Sequence, residues 1–291
     1  MTRVLVLGDV NMDVVAVLAA AIQPGTDTPA AIRCTAGGAG ANVASWLASL
    51  GVDVTLIGRV GDDDAGRRCI GELNAVRTVL SIDPDAPTGS VVVLVDPTGE
   101  RSMLCDRGAN LRLTPGDLPA ELFQAGAHLH LSGYTLLHER PRPAALRALT
   151  LARVAGMTIS VDPASTAPLA AYGPDRFRAE TTGADLLLPN LAEARLLSGV
   201  QDPAGAAWAL ASGYGAVVVS CGADGAVWAA GEETGRAAAE PLEVVDTTGA
   251  GDAFTAGLLA AWLDSTPLSE CVWRATRTAA RAVTGIGAGP G

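Results

Sequence analysis

DTTGAGDAFTAGLLAAWL, Asp246 to Leu263, decides the fold and much of the chemistry. From Phe254 onward it has the Ala and Leu content of a helix. Its entrance is unusual, because Gly249, Ala250 and Gly251 lead directly into an acid, Asp252. Helix N-termini carry unpaired N–H groups and partial positive charge, so they are natural anion sites. Glycines there remove side chains that would hold a phosphate off, although a tight strand-to-helix turn needing positive φ explains them equally. A carboxylate in the first turn is favoured by the helix dipole alone. Beside a phosphate cradle it also stands where a base, ionised at neutral pH when unperturbed, accepts the proton of an attacking hydroxyl.

A second entrance of the same kind, GGAGANVASWLASLG (Gly37 to Gly51), predicts a helix beginning near Asn42. Neither stretch matches GxxxxGK[ST], and neither follows the first strand as a dinucleotide GxGxxG does. Around them short β-branched runs recur: VLVL (4–7), VTLI (54–57), HLHL (128–131), TISV (158–161), LLL (186–188) and VVVS (217–220). They alternate with helical stretches at Asn42–Leu50, Pro143–Ala155, Pro203–Ser212 and Leu268–Val283. This alternation predicts an α/β fold, a central mostly parallel sheet flanked by helices. One region departs from it. SVVVLVD (90–96) and RSMLC (101–105) flank PTGE and read as a β-hairpin, to which Val14–Leu18 and Ala31–Cys34 add strands, giving a small sheet that projects as a flap.

With 291 residues, 49% of them hydrophobic, the chain can bury the core of one large domain. Its net charge of -11 argues against nucleic acid and anionic membranes as partners. All 20 Lys and Arg residues are arginine, so a P-loop lysine, a kinase strand lysine and a Schiff-base lysine are excluded. Five scattered cysteines with no Cys-x-x-Cys pair fit a reduced, cytoplasmic protein and no zinc site. MTRVLVLGDVNMD reads as a first strand rather than a signal peptide, and no apolar run of membrane-spanning length occurs.

In these motifs the chain resembles the ribokinase-family (PfkB-type) carbohydrate kinases from Val4 to about Pro290. DTTGAGDAF (246–254) matches that family's most specific motif, and GGAGAN (37–42) its second, in the right order and separation. The resemblance implies a ribokinase-like fold in a single domain, 1–291, with a β-sheet lid from about 14–36 and 88–106. It implies a phosphotransferase that moves the γ-phosphoryl group of ATP, with Mg²⁺, to a primary hydroxyl of a small sugar. Asp252 would be the base, and the backbone of Gly249, Ala250, Gly251 and Asp252 the anion hole. Asn11, Asp13, Gly38 and Asn42 would grip sugar hydroxyls, for which carboxylate and amide groups supply donors and acceptors. Arg107, in RGAN, would join them or read a substrate carboxylate or phosphate; it reads equally as a solvated lid residue. Asp13 reads equally as a turn residue.

Asn190 and Glu193 match an element associated with Mg²⁺ and phosphate, Glu193 acting through water; an Asn followed three residues later by Glu is also a capping box. Ser220, Gly222 and Gly225, in SCGADG, would contact the nucleotide or simply form a β-turn. Asp246 and Thr248 correspond to a K⁺-type monovalent-cation site found in part of the family, with carbonyls near Ala282, Gly285 and Gly287. Family members often dimerise through their lids, so a homodimer is expected if the lid presents an apolar face.

Ala39 stands where ribokinases usually carry lysine, and Ser132-Gly133-Tyr134 follows HLHL where ribose kinases tend to place an acid. Ribose therefore stays open but is disfavoured. A nucleoside kinase is the alternative, disfavoured by an aromatic content of 4%; a sugar- or nucleotide-sensing protein without turnover is a third reading. His128 and His130 read as strand packing, His138 as exposed.

Overall fold

The structure, a computed structural model, describes residues 2–242, 244–285 and 287–290. Positions 1, 243, 286 and 291 of the expected domain lie outside the described residues. The strands are β1 (Val4–Leu7), β2 (Asn11–Leu18), β3 (Ala30–Gly37), β4 (Val54–Gly61), β5 (Arg77–Asp83), β6 (Gly89–Val95), β7 (Arg101–Asp106), β8 (His128–Ser132), β9 (Thr158–Asp162), β10 (Leu186–Leu187), β11 (Ala216–Ser220), β12 (Ala226–Ala230) and β13 (Glu233–Ala237). Nine form one sheet in the order β13-β12-β11-β10-β9-β8-β1-β4-β5. It is parallel from β5 to β11, with β12 and β13 added antiparallel at one edge.

The interior strands are buried on both sides because helices cover both faces, which is why most of them read as unbroken hydrophobic runs. One face carries α1 (Ala39–Ser49), α2 (Asp64–Glu72), α9 (Ala250–Trp262) and α10 (Leu268–Ala282). The other carries α3 (Tyr134–Leu137), α4 (Arg142–Ala155), α5 (Thr166–Tyr172), α6 (Pro174–Thr181), α7 (Leu191–Ser198) and α8 (Pro203–Ala211). His128 and His130 face α9, fully buried; His128 meets Trp262 edge-to-face, and both rings bond the Ser160 hydroxyl. Burial pushes both imidazoles down, to about 3 and about 4, so they are neutral packing groups. His138, expected to be exposed, is half-buried instead.

Four strands form a separate sheet in the order β3-β2-β6-β7, with β2 and β6 parallel at its centre and the β6–β7 hairpin at one edge. β6 and β7 fall within the expected 88–106 segment, while β2 starts at Asn11 and β3 runs on to Gly37, each beyond the expected 14–36 bounds.

Two helix starts differ from the sequence reading. α1 begins at Ala39 rather than near Asn42, and α9 at Ala250 rather than Phe254. In each, a glycine outside the helix takes positive φ, 99° at Gly38 and 73° at Gly249, so the glycines turn the chain and the helix follows at once. Gly40 serves close packing: a Cβ on it would lie 2.5 Å from the Cα of Gly8, so only glycine lets α1 approach the end of β1.

Candidate active site

The carboxyl ends of the parallel strands converge on one region, where ligands bind in open α/β sheets. β1 delivers Gly8 and Asp9, β8 ends on Ser132, β9 on Asp162, and β11 on Ser220 beside Asn190. The small sheet contributes Asn11 and Asp13, α1 contributes Asn42, and α9 contributes Asp252.

At the mouth of α9 the amides of Gly249, Gly251 and Asp252 donate to no acceptor among the described residues, while that of Ala250 reaches the Thr247 carbonyl at 3.3 Å. A Cβ on Gly251 would meet open space, whereas one on Gly249 would lie 2.7 Å from Ala288. Three of the four expected amides are therefore free to receive an anion, and Gly249 is fixed by its φ and its neighbour. The α1 mouth differs: the Gly40 amide donates to Asp9 Oδ1 at 3.3 Å and the Ala41 amide to the Asp9 carbonyl at 3.2 Å. The first glycine entrance is thus capped internally and is no anion cradle. Its task is to bring Asn42 across, where Asn42 Nδ2 donates to Asp252 Oδ2 at 2.7 Å.

A polar cluster lies beside Asp252. Asn11 Nδ2 donates to Asp9 Oδ2 at 2.9 Å, and Asn110 Nδ2 donates to Asn11 Oδ1 at 2.9 Å. Gly89 makes room for that amide pair, since a Cβ there would collide with both. Arg107 is no solvated lid residue. Its NH1 pairs with Asp9 at 3.3 Å and its guanidinium lies over the Tyr134 ring at 3.9 Å. Asp13 Oδ1 and Ser132 Oγ are buried with no hydrogen-bond partner, which costs free energy until a ligand supplies one. Gly38 supplies backbone only, its Cβ being barred by the Asp9 carbonyl at 2.6 Å.

The carboxylates crowd one another. Burial, with the neighbouring Asp9 charge adding to it, pushes Asp13 up to about 7 despite Arg107. Burial raises Asp252 well above the usual carboxylate range; the Asn42 hydrogen bond opposes this, and Asp162, Asp9 and Asp13 reinforce it. Burial likewise raises Asp162, and Glu193 with the charge of Asp162. These acids hold protons to a higher pH folded than unfolded, so their contribution to stability is lost as pH rises from about 4 through about 7, while His128 and His130, kept neutral by burial, act the opposite way below about 6.5. Calorimetry of the ligand-free protein is expected to give a lower Tm at pH 8 than at about pH 6.5, a range in which the buried histidines no longer contribute; an equal or higher Tm at pH 8 would contradict this electrostatic picture.

Asn190 and Glu193 form the complete capping box of α7. Glu193 Oε2 accepts from the Asn190 amide at 2.9 Å, Oε1 from Asn190 Nδ2 at 2.7 Å, and Asn190 Oδ1 from the Glu193 amide at 3.0 Å. Gly222 and Gly225 turn the chain from β11 into β12 at φ 60° and 86°, with the Cys221 amide closing the turn on the Gly225 carbonyl at 2.8 Å. Asp246 and Thr248 do meet, but the group lying against them is a guanidinium: Arg101 NH1 is 3.1 Å from Asp246 Oδ1 and 2.6 Å from Thr248 Oγ1.

The sequence reading passed over Asp9, Asn110, Asp162 and Arg101 as site residues. A signal existed for Asp9 and Asp162, each an acid at the carboxyl end of a predicted strand. None existed for the Arg101 contact, which joins positions 145 residues apart.

A free amide cluster with a carboxylate beside it, next to buried polar side chains at the carboxyl ends of a ribokinase-like sheet, is the arrangement of a phosphotransferase acting on an alcohol. The chain belongs to the pfkB family of carbohydrate kinases, whose model matches residues 1–291. It is similar to an ATP-dependent ribose-1-phosphate kinase of Halopiger xanaduensis, 35% identical over 90% of this chain and 86% of that protein. It also resembles the aminoimidazole riboside kinase of Salmonella enterica, solved with aminoimidazole riboside and an ATP analogue, at 30% identity, a TM-score of 0.79, and coverage of 99% and 95% of the two chains. An Escherichia coli protein assigned as ribokinase II, solved with ATP and Mg²⁺, superposes with a TM-score of 0.88 at 26% identity, over 99% and 94%. The chain is therefore an ATP-dependent kinase of sugar-type hydroxyls. Among the described residues no helix is long and apolar enough to cross a membrane.

Proposed function

We propose that this kinase transfers the γ-phosphoryl group of ATP to a primary hydroxyl of a small, uncharged sugar or riboside, with Asp252 as general base. The observation that carries the reading is the pairing of the free Gly249, Gly251 and Asp252 amides with the Asp252 carboxylate at one helix mouth. In this reading Asp252 takes the hydroxyl proton, and its raised proton affinity suits that task. The amides receive charge developing on the transferring group. Asn11, Asp13 and Asn42 hold vicinal hydroxyls, and Ser220, Gly222, Gly225 and Asn190 border the nucleotide. The small sheet acts as a lid on a single domain and excludes water, limiting wasteful ATP hydrolysis.

An uncharged acceptor is favoured because Asp9, Asp13, Asp162 and Asp252 face the cluster against Arg107, whose guanidinium is already committed to Asp9 and Tyr134. Mg²⁺ suits the oxygen donors of Glu193 and Asp162, whose mutual repulsion a cation offsets; they would hold it through water, since Mg²⁺ keeps much of its hydration and binds chiefly through nucleotide phosphates. Mg²⁺ there would neutralise charge on the phosphates. A cytoplasmic location fits the five free cysteines and the use of ATP. Exposed Ile32 and Leu104, which share the face of the small sheet turned away from Asp13, support a homodimer through the lid.

A nucleoside acceptor is the second reading, favoured by relatives such as the aminoimidazole riboside kinase, because a riboside presents the same hydroxyls. Pentoses, hexoses, sugar acids, phosphosugars and nucleosides are to be screened by ADP release, with the product's phosphate position read by ³¹P NMR. A neutral sugar or riboside phosphorylated at a primary hydroxyl supports the proposal; efficient turnover of only anionic acceptors would overturn it.

A further inference from the structure

The small sheet and the anion cradle are joined by one contact. Arg101 opens β7, and its register opposite Val95, two positions along from the Val93–Met103 pair, puts it on the sheet face shared with Asp13 and Val15. There NH1 donates to Asp246 Oδ1 at 3.1 Å and to Thr248 Oγ1 at 2.6 Å. The same Asp246 Oδ1 accepts the Thr248 amide at 2.9 Å and the Thr248 hydroxyl at 2.6 Å. Oδ2 accepts the Gly287 amide at 3.0 Å, and the Val245 and Asp246 amides bond the Val283 carbonyl after α10. One carboxylate thus ties together the lid hairpin, the turn that leads into Gly249, and the loop following α10.

This arrangement does not fit a monovalent cation. Such an ion needs several oxygens with lone pairs turned toward it, whereas Asp246 is filled by N–H and O–H donors and the Thr248 oxygen already faces a guanidinium. Arginine stays charged at any physiological pH and binds oxygens through fixed, directional N–H groups. The contact is largely shielded from water, with the side chains 25% and 13% exposed, so it is screened less than a surface pair.

We propose that Arg101 is a lid-borne positioning residue: its guanidinium takes the place of a monovalent cation at Asp246 and Thr248, holds the turn that presents the Gly249–Asp252 amides, and so makes phosphoryl transfer depend on the lid being seated and not on K⁺. The inference rests on the reading of those amides as the phosphate cradle. It names a role for the lid beyond covering the sugar, because unseating the hairpin removes the charge that orders the cradle.

The test compares the whole protein with Arg101→Met and Arg101→Lys, assayed in KCl and in tetramethylammonium chloride, with and without millimolar guanidinium chloride. Wild-type kcat should agree within about twofold in the two salts. Arg101→Met should lose roughly tenfold or more in kcat with sugar KM little changed, as expected when a donor array aimed at developing charge is loosened. Guanidinium, or K⁺ entering the vacated place, should restore part of that loss, and Arg101→Lys should retain more activity than Arg101→Met. A merely structural role would lower Tm without rescue by small cations. Wild-type activation by K⁺ of fivefold or more would overturn the proposal. So would Arg101→Met with wild-type kcat beside an inactive Asp252→Asn, an outcome that leaves the site reading standing. An active Asp252→Asn would instead overturn the site reading on which the latch rests.

Discussion

Asp252→Asn is expected to lower kcat by about 10²-fold or more while leaving the fold and ATP binding in place. The substitution is close to isosteric, and its amide oxygen can still accept from Asn42 Nδ2, which donates to the carboxylate at 2.7 Å. What it removes is proton affinity. Burial and the surrounding acids hold the Asp252 carboxyl well above its ordinary range, so it is a stronger base than an exposed aspartate. An amide cannot take the hydroxyl proton, and the backbone amides of the cradle remain to give residual turnover. Single-turnover measurement with saturating ATP and acceptor isolates the chemical step. Near wild-type turnover would move the base elsewhere in the cluster, to Asp13 or Asp9.

Asp13→Ala is expected to lower kcat/KM by roughly 10²–10³-fold while leaving Tm at pH 8 unchanged or higher. The first half follows from hydrogen bonding: a charged acceptor contributes about 1.5–3 kcal/mol per bond, and in the proposed reading Asp13 takes hydroxyls of the acceptor. The second follows from its surroundings. Its Oδ1 is buried without a partner, its carboxyl is pushed up to about 7, and it sits against the backbone of Gly37. Such a group is costly in the empty protein and useful only when filled, a trade of stability for function. Steady-state kinetics and calorimetry on one preparation separate the two effects. A large fall in Tm with unaltered kcat/KM would make Asp13 a structural residue, the turn reading left open by the sequence.

The parts of this architecture that were legible in the sequence are those written locally. Six apolar runs predicted six interior strands, because strands buried on both faces need no alternation to be seen. The β6–β7 hairpin was visible through its PTGE turn. β5, β12, β13 and α2 went unread: RTVLSID, ETGRA and DAGRRCIGE are half-exposed segments whose polar residues blur any period, and AVWAA, though mostly buried, is alanine-rich and so a weak strand signal. Both helix starts were placed three or four residues late because glycine was charged with its propensity cost inside a helix. Gly38 and Gly249 stand outside the helices, at caps where positive φ is required.

The site divides in the same way. Asp252 and its glycines are contiguous, so their chemistry could be read directly. Asp9 gains its meaning only when Gly40 comes within reach, and Arg107 only when it stacks on Tyr134. Asn190 and Glu193 matched two readings at once; the capping box is present in full, and the proposed metal role rests on the acid pair with Asp162.

The central claim is that the amides at the mouth of α9 receive the transferring phosphoryl group beside Asp252. Its most direct measurement is ¹⁵N–¹H NMR of protein labelled with ¹⁵N-glycine, titrated with ADP, Mg²⁺, aluminium fluoride and the acceptor, with Gly251 assigned through Gly251→Ala. Downfield shifts of the Gly249 and Gly251 amide protons, present with aluminium fluoride and absent with ADP and Mg²⁺ alone, are the expected result. Unmoved Gly249 and Gly251 signals in a complex that shifts Gly222 and Gly225 would contradict it.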